Sequence, residues 1–219
     1  MNSVIVFPLV LVGWIVSLCL HEFAHAVVAY RGGDVSVRGK GYLTLNPLRY
    51  VNVQYSIIMP LVFLLLGGIG LPGGAVYIEK HRLHSPKWAS AVSLAGPTAN
   101  ALVALLLAMP FWVLPASLFD NAFGMALAFL AFLQVSAVFL NLLPIPGLDG
   151  FGIIAPFLPR ETQRQIAQVG SMAAIVLFAL FLVPAFNRFF FSGVYSVTQA
   201  LGVPPELAYL GYHAFRFWG

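Results

Sequence analysis

The stretch His21-Glu22-Phe23-Ala24-His25 holds the residues best placed to do chemistry in this chain. On an α-helix, positions four apart lie on one face. His21 and His25 can therefore offer two imidazoles to a single metal ion. Glu22 reaches the same space and can serve as a general base towards a metal-activated water. Only five histidines occur in 219 residues, so two of them at this spacing around a glutamate form a specific signal. Val4 to Leu20 include no charged side chain, which sets the motif on a helix of membrane length. Ionisable groups at that depth are costly and mark function. A cluster that merely packs helices has no need of three such groups at ligand spacing.

A catalytic zinc site takes three protein ligands and keeps one position open. Two histidines leave one ligand to find. Among the few acidic residues, Asp149 is the best candidate. It lies in Asn141-Leu142-Leu143-Pro144-Ile145-Pro146-Gly147-Leu148-Asp149-Gly150, directly after an apolar segment that returns to the depth of the histidines. The prolines end that helix, and irregular backbone is tolerated at membrane depth where it lines a cavity. Asp34 and Glu79 read as loop charges, and Glu161 and Glu206 as interfacial ones. His81 and His84, in a basic loop, read as solvated side chains and not as a second metal site.

The elements that must position these residues follow from composition. Hydrophobic residues make up 60% of the chain and charged ones 8%, with a mean hydropathy of +0.91. Soluble domains carry about 25% charged residues, so this is an all-α polytopic membrane protein in a lipid bilayer. The net charge of +4 is spread over loops and does not indicate nucleic-acid binding. The lone Cys19 excludes an intrachain disulfide. No Lys or Arg precedes the first apolar run, so residues 3–30 read as a retained transmembrane helix and not as a signal peptide.

Five to six apolar segments are expected. Residues 3–30, 88–115, 121–143 and 165–187 are long enough to span. Residues 57–71 are short and glycine-rich, as in a re-entrant segment, and the status of 189–203 is open. Segments 31–56 and 72–87 are both basic, which places them in the cytoplasm by the positive-inside rule. Helix one then runs out-to-in, 88–115 in-to-out and 121–143 out-to-in, with the active site near the cytoplasmic face of the cell membrane. Residues 35–45 alternate apolar and polar around Gly39-Lys40 and predict a short membrane-associated β-hairpin. Such a hairpin could hold an unwound substrate by strand addition. The chain parses as one domain, 1–219, with a catalytic core of about 3–151 and accessory helices over about 152–219.

Three motifs in order, HEFAH on the first helix, Ala95-Gly96-Pro97-Thr98-Ala99-Asn100 on a later one and NLLPIPGLDG after the next, resemble the site-2 protease family of intramembrane zinc metalloproteases. The Leu45-Asn46-Pro47-Leu48-Arg49 stretch is similar to a segment of compact bacterial members. The resemblance implies one Zn2+ per chain on His21, His25 and Asp149, with Glu22 as catalytic base. It makes Asn141, and less directly Asn100, candidates for holding substrate; Asn100 and Gly96-Pro97 also suit close helix packing. The implied substrate is a transmembrane protein cut in or near its membrane segment. With no PDZ or nucleotide-sensing domain expected, gating falls to the membrane domain or to a regulatory membrane partner. The alternative from another class is a non-proteolytic membrane protein that binds or transports metal, which would need the ligands but not the base.

Overall fold

The computed structural model describes residues 2–46, 76–169 and 173–216. Helix α1 (Asn2–Arg31) is followed by a single helical turn, α2 (Ser36–Gly39). After the segment 76–79 and a 3-10 turn (Lys80–Arg82) come α3 (Pro86–Val113) and α4 (Ala122–Asn141). The remainder consists of α5 (Asp149–Ile154), α6 (Arg160–Val169), α7 (Ala173–Leu182), α8 (Pro184–Ala200) and α9 (Pro205–Phe215). Among the described residues there is no strand.

Among the described residues, three helices are long and apolar enough to cross a membrane: α1, α3 and α4. Their directions follow from their contacts. Asn2, at the start of α1, donates through Nδ2 to Met125 Sδ near the start of α4 at 3.8 Å. His21 and His25, towards the other end of α1, meet Asp149 just past the end of α4. Hence α1 and α4 run parallel. His25 also meets Val92 near the start of α3, so α3 runs antiparallel to both. The expected alternation of directions agrees with this arrangement.

Helix α4 forms the centre. Its Asn121 cap accepts from the backbone N–H groups of Phe123 and Gly124 at 2.9 and 3.1 Å, settling two donors that a helix start leaves unpaired. Phe129 and Leu133 are fully buried and small residues (Ala126, Ala128, Ala131) bring its neighbours close, whereas α1 and α3 keep apolar faces (Val4, Val12, Leu102, Leu106) outward. Phe215 of α9 stacks on Phe7 of α1 with ring centres 5.2 Å apart.

Two expectations about the elements are corrected. The β-hairpin over 35–45 is absent, and with it the strand-addition role. Asp34 accepts at Oδ1 from the Ser36 N–H (3.0 Å) and hydroxyl (2.5 Å), and α2 closes with Lys40 N–H to the Ser36 carbonyl at 3.0 Å. An aspartate holding the backbone two residues on starts a turn. Exposed Val35 and buried Val37 produce strand-like alternation on what is one helical turn. The count of five to six apolar segments is not supported: among the described residues there are three spans, or four if α7 and α8 count as one bent pair. Residues 165–187 are no continuous span. Pro184 has no N–H to extend a helix and instead opens α8, which leaves α7 at 91°. The open segment 189–203 falls mostly within α8. The expected re-entrant segment 57–71 lies outside the described residues.

Its flanks, however, meet. The His84 N–H donates to the Gly32 carbonyl at 2.8 Å, and the Glu79 N–H to Asp34 Oδ2 at 2.7 Å. The described parts of both basic segments, 31–46 and 76–87, therefore lie at the same end of the bundle, and Leu118, between α3 and α4, lies at the other. In a Cys19→Ser background, Gly39→Cys and His81→Cys are expected to react with an impermeant thiol reagent from one side of the membrane, and Leu118→Cys from the opposite side. Labelling of Gly39→Cys and His81→Cys from opposite sides would contradict this arrangement.

Candidate metal centre

Helix α1 supplies the first two donors through one buried stripe. Val10, Trp14, Ser17, His21 and His25 recur at spacings of three and four and face α3 and α4, all less than 9% exposed. The same face that packs the bundle thus carries both imidazoles inward. Their Nε2 atoms lie 3.0 Å apart.

Asp149 arrives by a different route. Helix α4 stops at Asn141, Pro144 and Pro146 cannot prolong it, and Gly147 takes a φ of +93°, which side chains with a Cβ rarely adopt. The chain turns back through Leu148 N–H to the Ile145 carbonyl at 3.0 Å and enters α5 at Asp149. The carboxylate then straddles the histidines, with Oδ2 at 3.2 Å from His21 Nε2 and Oδ1 at 3.3 Å from His25 Nε2.

One ligand atom from each of the three residues falls within 4.8 Å of the others. The surroundings suit a cation. Val92, on α3, accepts from His25 Nδ1 at 2.6 Å. With the proton on Nδ1, the lone pair of Nε2 points to the convergence, the second-layer arrangement of metal-ligating histidines. Among the described residues Asp149 Oδ2 is buried with no hydrogen-bond donor, and it lies 3.2 Å from His21 Nε2. Two imidazoles and one carboxylate are a zinc donor set that leaves a coordination position open.

Helix α3 makes room for this convergence at Gly96. A Cβ placed there would overlap His25 Nε2 and the His21 ring. Glu22 lies on the same wall, 3% exposed, and accepts from the Val76 backbone N–H at Oε2, 3.2 Å away. A cavity of about 400 Å³ opens over these groups, bordered by Val76, Tyr77, Lys80, Asn141 and Leu148. Asn141 is buried and lines that cavity; Asn100 is buried one turn beyond Gly96 on α3 and does not line it. His81 is largely exposed and the described residues around it form no metal cluster. Sequence reasoning did not assign roles to the Val92 carbonyl, the Val76 amide or the contact of Gly96 with the imidazoles. Only Gly96 left a trace, inside the Ala95–Asn100 motif.

A buried donor trio beside a glutamate, set among membrane-length helices, is an arrangement suited to a membrane metallopeptidase. Residues 9–124 match peptidase family M50. A protein of Mycolicibacterium smegmatis named "Putative zinc metalloprotease Rip2" is 48% identical over 216 residues, covering 97% of this chain and 82% of its own length. The Mycobacterium tuberculosis protein of the same name is 47% identical over the same coverage. YwhC of Bacillus subtilis, described in the same words, is 32% identical over 193 residues, 81% of each chain. No solved structure matches the chain significantly. The chain belongs to peptidase family M50.

Crowding at Gly96 offers a test of the geometry. Gly96→Ala is expected to weaken zinc binding by about 10- to 100-fold, the range seen when groups supporting metal ligands are disturbed. Gly39→Ala, where a Cβ meets nothing within 4 Å, is expected to bind zinc like the parent. Metal analysis after dialysis against a zinc buffer distinguishes the two; equal zinc content in both variants would disprove the close approach.

Proposed function

We propose that His21, His25 and Asp149 ligate one zinc ion, and that Glu22 is the general base in peptide-bond hydrolysis. The chain is an intramembrane zinc metalloprotease of the site-2 protease type, a multi-pass membrane protein acting on membrane-protein substrates. The observation that carries the assignment of residues is the convergence of three ligand atoms within 4.8 Å beside a buried glutamate.

Zinc bound at such a site lowers the pKa of water towards neutrality and polarises the scissile carbonyl. The residues of the chain do the rest. Glu22 takes the proton of the attacking water and delivers it to the departing amine nitrogen. Asn141, on the cavity wall, is positioned to donate to a substrate carbonyl, where a fixed donor favours developing negative charge. A helical substrate must unwind locally to present that carbonyl, because its own i→i−4 bonds otherwise occupy it.

The catalytic core is about residues 3–151, since α1, the end of α4 and the start of α5 supply every group named, and about 152–219 are accessory helices. The site faces the cytoplasm of the cell membrane. Support comes from Arg31, Arg38, Lys40, Lys80, Arg82 and Lys87, which flank its end of the bundle, while Asp120 is the only charge in the 116–121 connection at the other end. Gating by a membrane partner remains part of the proposal. A metal-transport role gains no support, because it has no use for a glutamate buried beside the donors.

Purified protein is expected to hold one zinc per chain, lost on His21→Ala, His25→Ala or Asp149→Ala. Glu22→Gln keeps the shape, the helix and the three donors. It is expected to fold and bind zinc, yet to lose cleavage of a transmembrane model peptide by at least about 10²–10⁴-fold, the usual contribution of a general base. Cleavage by Glu22→Gln at near the parent rate would sink the assignment.

A further inference from the structure

Asp34 stands out because it is fully buried, 0% exposed, and forms no ion pair among the described residues. Burying a carboxylate is costly unless hydrogen bonds satisfy it. Here three donors do so: the Ser36 N–H and hydroxyl on Oδ1, and the Glu79 N–H on Oδ2 at 2.7 Å. The first two shape the turn after α1. The third reaches 45 residues along the chain, to the segment Val76–Glu79.

That segment has no helical or sheet pairing of its own. Several side chains hold it, Tyr42 among them through a hydrogen bond with the Tyr77 backbone. The Val76 N–H donates to Glu22 Oε2 at 3.2 Å, Lys40 Nζ donates to the Tyr77 carbonyl at 3.1 Å, and Asp34 takes the Glu79 N–H. Lys40 also pairs with the Glu79 carboxylate at 2.8 Å, and Arg82 Nε donates to its other oxygen at 2.5 Å. Hydrogen bonds from Lys40 first and Arg82 second draw the Glu79 pKa down to about 2. Val76, Tyr77 and Ile78 then form one wall of the cavity over the metal donors. A glutamate side chain has three rotatable bonds, and a donor fixed on one oxygen limits where the other can point.

We propose that Asp34 is a positioning residue: by anchoring the Glu79 amide it latches the strap Val76–Glu79 across the cleft, so that the Val76 N–H orients the Glu22 carboxylate for proton transfer. Lys40 is the second point of the latch. The Val76 N–H holds Oε2, and the other carboxylate oxygen meets the proton of the attacking water. The inference rests on the reading of Glu22 as general base.

The test uses the full chain in lipid nanodiscs. Asp34→Asn keeps one acceptor oxygen for the Ser36 turn but sets an amide N–H where a second acceptor stood. Hydrogen–deuterium exchange over 76–80 is expected to accelerate in Asp34→Asn, and kcat on a transmembrane model peptide to fall about 10- to 100-fold, as misplacement of a catalytic group does. KM and zinc content are expected to stay at the parent values. Lys40→Met is expected to shift exchange and kcat in the same direction, and Lys40→Arg to restore both. Gly39→Ala, where a Cβ meets nothing within 4 Å, is expected to leave both unchanged.

Faster exchange with unchanged kcat would overturn the positioning role, and unchanged exchange would overturn the latch. A fall in kcat matched by a fall in zinc content would assign Asp34 to support of the metal site and overturn the proposal as well. If Asp34→Asn does not fold, the Lys40 variants decide by the same readings. Failure of the underlying assignment is visible separately: Glu22→Gln would then cleave like the parent, whatever the exchange over 76–80.

Discussion

A carboxylate set between two imidazoles, 3.2 Å from one and 3.3 Å from the other, dictates much of what surrounds it. The histidines come from the first helix and the carboxylate from the turn after α4, so two parallel helices must run side by side over their whole length. The antiparallel α3 must also pass close enough to give His25 a carbonyl and yet not occupy the space of the rings. A residue without a Cβ at position 96 reconciles these demands. The packing of the bundle and the geometry of the donors are therefore one problem, solved on the same faces of the same helices.

The helices divide the work unevenly. Helix α4 contributes no metal donor, yet it is the most buried of the three spans, and its end sets the path of Pro144 to Asp149. Helix α1 holds both imidazoles and Glu22, α3 gives His25 the Val92 carbonyl, and both also present apolar side chains outward. Such a division suits a bilayer. Lipid offers no hydrophobic drive to assemble helices, so close packing around a small-residue core holds them together. The site then sits at the border between that core and the cleft lined by Val76 and Tyr77.

The parts legible in the sequence were those with local signatures. Histidine spacing depends only on helical pitch, and the spans 3–30, 88–115 and 121–143 end within about two residues of α1, α3 and α4, inside the ordinary uncertainty of helix ends. What escaped was set by contacts far apart in the chain. Asp34 reads as a loop charge until the Glu79 amide is seen beside it. The 35–45 alternation is too short to separate a strand from one helical turn. The apolar run 165–187 satisfied a length rule, but apolarity says nothing of backbone direction, and Pro184 starts a new helix at a steep angle. The role of Gly96 could not be read without knowing which side chains face it.

The position of Asp149 also has a thermodynamic side. On the proposed assignment, one ion joins residues 25 and 149 in the folded protein and nothing joins them in the unfolded one. A ligand that binds only the folded state stabilises it in proportion to the logarithm of its free concentration over its dissociation constant. Linkage is reciprocal. A substitution far from the donors that loosens α1 against α3 or α4 therefore lowers affinity for zinc, and zinc in turn masks the loss of packing. Metal supply thus becomes a determinant of how much intact enzyme a cell holds, separate from how fast each copy works.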